Sequence, residues 1–318
     1  MKVLVTGAAG FLGQKLATAL LNDDSITDIT LTDIILPRIP VSLTSKKVAA
    51  MRSNLTGAGD REKLVSQGLD VIFVLHGIMS GRAETHFESG MSVNFDSTRG
   101  LLDLARKVVP GVKVVFASSI AVFGGEFTGP VTENTLPTPT TSYGMEKMLC
   151  EYLINDYSRR NFIDGRILRF PTIVVRPGVP SGAASSFVSG IIREPLNNQL
   201  SVLPVSKELC LWVCSPRTLI ANIMHSVSIP AESFGATRRV NVPGISVTVG
   251  EILDALARVA GEDKLMLIEE TRDESVERIV GSWPAKFDIS RALELGFQKD
   301  GPFDDAIREY IEDQRIQL

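Results

Sequence analysis

Lys2-Val3-Leu4-Val5-Thr6-Gly7-Ala8-Ala9-Gly10-Phe11-Leu12-Gly13 opens the chain and decides the predicted fold. Its first five residues form a short apolar run typical of a buried strand, and apolar side chains recur at helical spacing from Phe11 onward. The intervening Gly-x-x-Gly-x-x-Gly turn lets backbone approach a pyrophosphate, while the following helix directs its first N–H groups at the phosphates. Strand, glycine turn and helix in this order predict a nucleotide site containing Gly7, Gly10, Phe11, Leu12 and Gly13.

The composition is that of an ordinary globular protein and argues against several functional classes. The 318 residues are 44% hydrophobic and 22% charged, which suits one large domain or two modest ones. The net charge of -4 predicts neither nucleic-acid nor membrane binding. No apolar run approaches the roughly 20 residues of a transmembrane helix, and Met1-Lys2 leads directly into the first strand without a signal peptide. We therefore expect a soluble cytoplasmic protein.

The cysteines and histidines predict no metal site. Cys150, Cys210 and Cys214 are odd in number and are not spaced as a metal clip, so we interpret them as reduced thiols. The three histidines stand apart along the sequence, and no pair of carboxylates has ligand spacing.

Strand-length apolar runs alternate with helix-period segments through the first half of the chain. After the first strand, the pattern predicts strands at 28–33, 48–51, 71–75, 112–117 and 165–170. It predicts helices at 60–67, at 85–108 with a break near Gly90, and from Ser142 as the cap to about 160. This alternation, with near-continuous apolar strands, predicts an α/β fold: a doubly wound parallel sheet (Rossmann fold) covered by helices on both faces.

The second half is less regular, beginning with a proline- and glycine-rich stretch at 176–182. Helices are expected at 185–193, 216–226, 249–260 and 306–316, short strands on either side of 204–209, and a return to the sheet at 239–242. We expect a nucleotide-binding domain of residues 1–170 with 215–241 interleaved. A smaller C-terminal α/β lobe of residues 171–214 and 242–318 would then bind the substrate.

Asp33 lies 20 residues after Gly13, at the end of the second predicted strand. In a dinucleotide fold a carboxylate at this position accepts hydrogen bonds from the adenosine ribose hydroxyls, and it repels the 2′-phosphate of NADP. Asp33 therefore favours NAD. Arg38, five residues later, keeps a phosphate contact open, and an exposed strand-end acid is the structural alternative.

Tyr143 and Lys147 form a candidate acid/base pair. They are four residues apart on a predicted helix, which puts both side chains on one face. A neighbouring ammonium favours the phenolate and is expected to lower the pKa of Tyr143. Ser118-Ser119 follows the fifth strand at the carboxyl edge, where ligands bind, and Asn94 is a polar residue of a buried helix that needs a partner. A surface helix pair and ordinary turn serines are the structural alternatives.

Five motifs occur in an order that is specific. They are Thr6-Gly-Ala-Ala-Gly-Phe-Leu-Gly13, Leu75-His76-Gly77, Asn94 with Ser97-Thr98, Ser118-Ser119-Ile120-Ala121-Val122-Phe123-Gly124, and Tyr143-Gly-Met-Glu-Lys147. With these motifs, residues 1 to about 180 resemble the extended short-chain dehydrogenase/reductase family, which includes nucleotide-sugar epimerases and dehydratases. The family's usual acid pair after the second-lobe strands is replaced here by Cys214-Ser215-Pro216-Arg217.

The resemblance implies roles for individual residues. Ser119 would orient the substrate, Tyr143 would be the acid/base, Lys147 would hold the nicotinamide ribose and tune Tyr143, and Asn94 would support Lys147. The remaining implied cofactor contacts are Asn54, Leu55, Leu75, His76, Pro171, Thr172 and Ile173. Two residues depart from the family pattern: Phe123 stands where many members have Tyr, and Asn54 where an Asp often meets the adenine.

Further motifs resemble the D-erythronate dehydrogenase-like branch of this family. They lie at 123–125, 138–144, 169–178, 189–196 and 215–217. This likeness implies NAD-dependent oxidation of a hydroxyl in a small polyhydroxy acid, at C2. A nucleotide-sugar 4-epimerase or dehydratase with tightly bound NAD is the alternative. A non-catalytic NAD-sensing protein is disfavoured because the tyrosine–lysine pair is intact.

A carboxylate substrate requires a cation in the cleft, and an arginine fork suits it best. Arg176 and Arg217 are the candidates, with salt bridges inside the second lobe as their structural alternative. Ser80, Ser119, Tyr143 and Thr172 complete the predicted substrate site, while Trp212 is either a pocket wall or core. By family likeness we also expect a homodimer formed through the helices at 85–108 and 142–160.

Overall fold

The computed structural model describes residues 1–40, 46–179 and 183–317. The strands in this part of the chain are β1 (Lys2–Thr6), β2 (Asp28–Asp33), β3 (Lys47–Arg52), β4 (Val71–Val74), β5 (Lys113–Ser119), β6 (Asp164–Phe170), β7 (Thr172–Ile173), β8 (Ser201–Leu203), β9 (Cys210–Cys214), β10 (Arg239–Asn241), β11 (Ile245–Thr248) and β12 (Ile268–Glu270). The α-helices are α1 (Phe11–Leu21), α2 (Ala58–Leu64), α3 (Ser80–Thr85), α4 (Phe87–Gly90), α5 (Ser97–Val108), α6 (Ser142–Arg159), α7 (Ser186–Leu196), α8 (Pro216–Ser228), α9 (Val249–Ala260), α10 (Glu274–Gly281), α11 (Ser290–Glu294) and α12 (Phe303–Gln314).

A seven-stranded sheet in the order β10-β6-β5-β4-β1-β2-β3 forms the centre of the molecule. Every neighbouring pair in it is parallel. The chain builds outward from β1 to β3 and then returns to place β4 on the other side of β1. This reversal opens a crevice at the carboxyl ends of β1 and β4, where doubly wound folds bind ligands. The predicted fold class is confirmed.

Helices cover both faces of the sheet because the strand side chains alternate between them. Val5 packs in a core with Leu16 of α1 and Ile223 of α8. Its neighbour Leu4 packs on the opposite face with Leu101 of α5 and with residues of α6.

A second core lies under α7, α9 and α12 and the small sheet β11-β9-β7. Helix α9 begins with a capping box, in which the Thr248 hydroxyl accepts from Glu251 N and the Glu251 carboxylate accepts from Thr248 N. β10 pairs with β6, and α8 packs on α1. The division of the chain into two domains stays a prediction.

The helix boundaries differ from the prediction at two places that matter for the site. The segment expected as one helix at 85–108 is divided into α3, α4, a π-helical turn at Met91–Asp96, and α5. Thr141, not Ser142, caps α6, because its hydroxyl accepts from Gly144 N at 3.2 Å. Within the three described ranges no helix combines the length and the hydropathy needed to cross a bilayer.

Candidate active site

A cleft of about 750 Å³ opens at the carboxyl ends of β1, β4, β5 and β6. Most of the predicted site residues line it: Gly7, Gly10, Phe11, Leu12, Gly13, Asp33, Asn54, Leu55, Leu75, His76, Ser80, Ser119, Tyr143, Lys147, Pro171, Thr172, Ile173 and Arg176. Asn94 and Arg217 do not. Segments distant in sequence therefore meet here because parallel strands end at the same edge of the sheet.

The glycine turn can hold no larger residues at two of its positions. Gly7 has a φ of +70°, and a Cβ on it would lie 2.6 Å from the His76 backbone nitrogen. A Cβ on Gly13 would collide with the Gly7 carbonyl oxygen. The turn is therefore packed backbone against backbone, which leaves the start of α1 open to the cleft. This cradle fits a pyrophosphate.

Asp33 lies beside this cradle, at the end of β2. Its carboxylate accepts hydrogen bonds from Ala9 N at 3.0 Å and from Ile34 N at 2.6 Å. These two bonds fix the carboxylate at the position from which it can accept from ribose hydroxyls. Arg38 is exposed, does not line the cleft, and gives its carbonyl to the Gln14 side chain. The residues present fit an unphosphorylated adenosine ribose.

Asn54 and Leu55 line the same cleft as Asp33 and Ile34. The Asn54 side-chain oxygen accepts from Thr56 N at 3.1 Å and from the Thr56 hydroxyl at 2.9 Å. The Asn54 side-chain oxygen thus forms its hydrogen bonds within the local turn. The departure from Asp at this position leaves an uncharged amide at this end of the cleft, beside Ser53 and Thr56.

His76 is an uncharged histidine at the cleft that connects neighbouring elements through both of its ring nitrogens. Its Nδ1 lies 2.8 Å from the Thr6 hydroxyl and its Nε2 lies 2.8 Å from the Ser97 hydroxyl. Ser97 donates its own proton to the Val93 carbonyl at 2.6 Å, so Nε2 of His76 is the donor to Ser97. Desolvation, aided by the charge of Lys147, lowers the pKa of His76 to about 3. The ring therefore stays uncharged and ties β1, β4 and α5 together.

Ser119 and Tyr143 meet at the reacting end of the cleft. Ser119 caps the short 3₁₀ turn at Ile120–Val122, and its Oγ accepts from Ala121 N at 3.1 Å. That bond fixes the oxygen and leaves the hydroxyl proton free to be donated. Ser119 hydrogen-bonds the Tyr143 phenol in a way that favours the phenolate. A substrate oxygen between the two groups would contact both.

Lys147 lies one helical turn after Tyr143, on the same face of α6, and is buried. Its ammonium donates to the Ala117 carbonyl at 2.9 Å and lies 5.6 Å from the centre of the Tyr143 ring. Burial lowers the pKa of Lys147 to about 8. The ammonium is thus fixed at the bottom of the cleft, and it loses its proton more readily than an exposed lysine does.

The expectation for the pKa of Tyr143 was wrong in direction. Desolvation in the cleft raises this pKa to about 12, and the charge of Glu146 adds to the rise. The hydrogen bond from Ser119 and the charge of Arg176 lower it, but by less. Before ligands bind, Tyr143 is therefore a neutral phenol, since the burial that shapes the site outweighs the nearby cations.

Asn94 lies in the π-helical turn, next to the cleft and not on its surface. Its Oδ1 accepts from Ile78 N at 2.7 Å, and its Nδ2 donates to the Ile78 carbonyl at 3.0 Å. Nδ2 also donates to the Glu146 carboxylate at 2.5 Å. The buried amide thus has the partners that the sequence predicted it needs. An irregular helical turn of this kind often marks a functional position.

Arg176 projects from the loop after β7 into the cleft. Its backbone is held on both sides by α7, since Arg176 N donates to the Ser189 hydroxyl at 3.0 Å and Arg193 donates to the Arg176 carbonyl at 2.9 Å. Within the described part of the chain, its guanidinium has a single long hydrogen bond, 3.5 Å, to the Ser185 carbonyl. Among the described residues no acid pairs with it. Burial and the charge of Arg193 lower its pKa.

The expectation that Arg217 binds substrate is not met. Arg217 is half exposed on α8, outside the cleft, and its guanidinium pairs with Glu312 at 2.9 Å and Asp313 at 3.3 Å. Three acids on α12 (Glu309 is the third) satisfy this cation and raise its pKa. Arg217 therefore joins α8 to the C-terminal helix, as its structural alternative proposed.

Several cleft residues were not predicted from the sequence: Ile34, Arg82, Ser185 and Trp283. Trp212 is only 6% exposed, packs on Phe287 with ring centres 5.0 Å apart, and belongs to the core. Trp283 is the tryptophan that lines the cleft. Arg82 lies shortly after the strand end Leu75-His76-Gly77, and this position in the sequence was the one available sign that it could line the cleft. Trp283 and Ser185 come from the irregular second half, where no pattern pointed to them.

The fold and the cleft define a dinucleotide-binding α/β protein with a Ser119, Tyr143 and Lys147 constellation. The sequence profile of the NAD dependent epimerase/dehydratase family matches residues 3–211. The chain belongs to that family.

Relatives extend the likeness over nearly the full chain. D-erythronate dehydrogenase of Haemophilus influenzae is 44% identical over 98% of this chain and 99% of its own. D-erythronate dehydrogenase of Cupriavidus necator is 42% identical over 98% of both chains. A crystal structure described as the nucleoside-diphosphate-sugar epimerase from Agrobacterium tumefaciens is 42% identical, with a TM-score of 0.93, over 99% of this chain and 94% of its own.

Proposed function

We propose that this protein is an NAD-dependent dehydrogenase that oxidises a secondary hydroxyl of a small polyhydroxy acid, D-erythronate or a near relative, at C2. The names of the two full-length relatives support the substrate class. The family description and the fit of the Asp33 position to a ribose without a phosphate support NAD.

One observation carries the substrate proposal: Arg176 presents a guanidinium without an acid partner, among the described residues, in the same cleft as Tyr143. The two groups are close enough for each to shift the pKa of the other. In a 2-hydroxy acid the carboxyl carbon is bonded directly to the carbon that carries the hydroxyl. A carboxylate on Arg176 would therefore present the C2 hydroxyl to Tyr143, in preference to hydroxyls farther along the chain.

NAD would bind along the cleft through groups already in place. The backbone of the Gly7–Gly13 turn would hold the pyrophosphate, and Asp33 would accept from the adenosine ribose. Asn54 and Leu55 would border the adenine, Leu75 and His76 the middle of the cleft, and Pro171, Thr172 and Ile173 the nicotinamide. Lys147 would donate to the nicotinamide ribose. When bound, NAD supplies the acceptor for the hydride that leaves the substrate carbon.

The chain's own residues orient the substrate and move the proton. Arg176 binds the carboxylate, and Ser80 and Thr172 border the rest of the small acid. Ser119 donates to the oxygen that becomes the carbonyl, and Tyr143 takes the proton from that same oxygen. Tyr143 begins as a neutral phenol, so it must first pass its own proton to solvent, and only then can it act as the base. Lys147 and Arg176 stabilise the resulting phenolate, and Asn94 supports the floor beneath Lys147.

A screen of small hydroxy acids with NAD, followed by NADH absorbance, tests the proposal. We expect turnover of D-erythronate or a near relative, a lower rate with the corresponding neutral polyol, and preference for NAD over NADP. Silence with every free acid would overturn it.

A nucleotide-sugar 4-epimerase or dehydratase is the second candidate, favoured by the description of the Agrobacterium tumefaciens structure. Such an enzyme converts a UDP-sugar without net NADH formation. The same screen, with UDP-sugars added and products separated by chromatography, distinguishes the two.

A homodimer and a cytoplasmic location complete the proposal. Family likeness supports a dimer formed through α5 and α6. Cys150, Cys210 and Cys214 are free thiols, and this supports a reducing compartment. Equilibrium sedimentation tests the first statement and fractionation of the source cells tests the second.

A further inference from the structure

Glu146 is a fully buried acid in the helix that carries the reacting groups. It lies in α6 directly before Lys147 and three residues after Tyr143, with 0% of its surface exposed. One carboxylate oxygen accepts from Asn94 at 2.5 Å. The other, Oε1, has no hydrogen-bond partner among the described residues. An acid is rarely buried in this way unless its charge has a use, because desolvation penalises it.

Every element around Glu146 restricts its carboxylate. On α4, a side chain at Gly90 would collide with Oε1, so the carboxylate lies directly against the backbone there. On α3, the charge of Glu84 repels it, and Glu84 also accepts from Ser142 N at 2.9 Å. On α6 itself, Lys147 attracts it. Cys150, one turn further along, is a neutral thiol because burial raises its pKa to about 12.

The Glu146 carboxylate and the Ile78 backbone together fix which way the Asn94 amide points. Both N–H groups of Asn94 are used, one for the Ile78 carbonyl and one for Glu146. A reversed amide would turn its oxygen toward the carboxylate oxygen, and the two acceptors would repel each other. The oxygen of Asn94 therefore points toward Ile78 N and the Lys147 side of the site. An ideal Cβ placed on Gly77 would lie 2.9 Å from that oxygen and 3.6 Å from the Lys147 nitrogen.

We propose that Glu146 is a positioning residue of the reacting centre: with the Ile78 backbone, its buried carboxylate orients Asn94, and it places a negative charge beside Tyr143 and Lys147. The effect of Glu146 on turnover rests on the proposed function. Its effects on the orientation of Asn94 and on the pKa of Tyr143 do not.

The sign of the effect follows from the charge. A neighbouring anion disfavours the phenolate and favours the ammonium, so Glu146 raises the pKa values of both Tyr143 and Lys147. Arg176 acts on Tyr143 in the opposite sense. Burial raises the pKa of Glu146 itself, while Asn94 and Lys147 oppose that rise. Glu146 thus partly opposes the effect of burial on Lys147 and makes Tyr143 a weaker acid.

Glu146→Gln tests the charge because glutamine keeps the shape and can still accept from Asn94. The measurement is the phenolate absorbance of Tyr143 with saturating NAD, taken as the difference between each protein and its Tyr143→Phe counterpart. We expect the midpoint to fall by roughly 0.5–1 pH unit, the size of a unit charge acting a few ångströms away across a polar medium. The rising limb of kcat/KM for acid oxidation should move to lower pH by the same amount.

Two variants serve as controls. Glu146→Asp keeps the charge and should leave the midpoint near that of the wild type. Glu133→Gln removes another buried acid, which accepts a hydrogen bond from Asn241 N at 2.9 Å. It should leave the midpoint of the Tyr143 titration unchanged. If Glu146→Gln does not fold, Glu146→Met fills the same volume without charge and carries the comparison.

An unchanged Tyr143 midpoint in the folded Glu146→Gln or Glu146→Met protein would overturn the inference, even if melting temperature fell. Failure of the proposed function is recognised separately, by Tyr143→Phe retaining turnover or by the absence of acid oxidation. The absorbance titration remains decisive for Glu146 in either case.

Discussion

Arg169 of β6 donates two hydrogen bonds to the Glu151 carboxylate of α6, at 2.8 and 2.6 Å, with the side chains 0% and 1% exposed. The Ser118 hydroxyl donates to the same carboxylate at 2.6 Å. The guanidinium lies 4.6 Å from the centre of the Phe123 ring. This buried pair therefore joins α6, the helix of Tyr143 and Lys147, to β6, and Ser118 adds β5, the strand that ends in Ser119.

We expect Arg169→Met to be strongly destabilising, by about 3–5 kcal/mol, because it leaves the Glu151 charge buried without its partner. The double variant Glu151→Leu/Arg169→Met removes both charges and should recover much of that loss. Urea denaturation of the three proteins measures the free energies of unfolding. A single variant within about 1 kcal/mol of the wild type would contradict the assignment of a tightly coupled pair.

Tyr143→Phe should lower kcat about 100-fold or more while NAD binding persists, because it removes only the proton acceptor. NAD affinity is measured by the quenching of tryptophan fluorescence, since Trp283 lines the cleft. Tyr157→Phe is the matched control: that phenol donates to Asp103 at 2.7 Å, outside the cleft. Near-normal turnover in Tyr143→Phe would require a different base.

Local patterns were sufficient for the sheet and for the cofactor end of the cleft. Strand periodicity and the glycine turn depend on neighbours in sequence, so they predicted β1 to β6 and the position of Asp33 correctly. The cap of α6 was misplaced by one residue, because Thr141 and Ser142 are both good caps and only the geometry of Gly144 N decides between them.

The substrate end could not be predicted because it depends on which distant elements meet. The sequence offered Arg176 and Arg217 as equals, and only the position of α12 assigns Arg217 to a salt bridge. For the same reason the sequence left Trp212 open between pocket wall and core, and it gave no signal for Trp283. The direction of the Tyr143 pKa shift was missed because helix spacing reveals Lys147 but not the loss of solvent around the phenol.

Arg176→Met should raise KM for the acid about 10- to 100-fold, the value of a charge-assisted, two-point contact, with a smaller effect on KM for NAD. Arg176→Lys should recover only part of the affinity, since an ammonium cannot make the planar fork. Arg217→Met is the control and should leave both constants near wild type. A normal KM for the acid in Arg176→Met would remove Arg176 as the carboxylate ligand.

Asp33→Ser should weaken NAD binding about 10-fold and reduce the preference for NAD over NADP, because both the ribose acceptor and the repulsive charge are lost. Asp28→Ser changes the first residue of the same strand, at the edge of the sheet away from the cleft, and should alter neither affinity. Isothermal titration with the two cofactors gives both affinities. An unchanged NAD-to-NADP ratio in Asp33→Ser would show that specificity resides elsewhere.

Lys147 should cost the folded protein stability at neutral pH. Its pKa is about 8 in the folded chain and 10.5 ordinarily, because burial opposes the charge. Between these values the unfolded chain binds a proton that the folded chain does not, so the contribution of Lys147 to the free energy of unfolding rises with pH from about 8 to 10.5. The full effect of Lys147 is about 3 kcal/mol. The buried Cys150 thiol acts in the opposite sense above pH 9, because its pKa is raised to about 12.

Lys147→Met should abolish activity yet be more stable than the wild type at pH 7, by roughly 2 kcal/mol after allowing for the lost hydrogen bond to the Ala117 carbonyl. The stability advantage of the variant over the wild type should shrink as pH rises from about 8 to 10.5, because the cost of the buried lysine charge disappears. Tyr143 cannot mimic this behaviour, because its pKa is raised to about 12 and its contribution to stability falls as pH increases above 10. Urea denaturation at pH 7, 8, 9 and 10 measures both trends. A less stable variant at pH 7 would mean that packing around the lysine stem outweighs the cost of its buried charge.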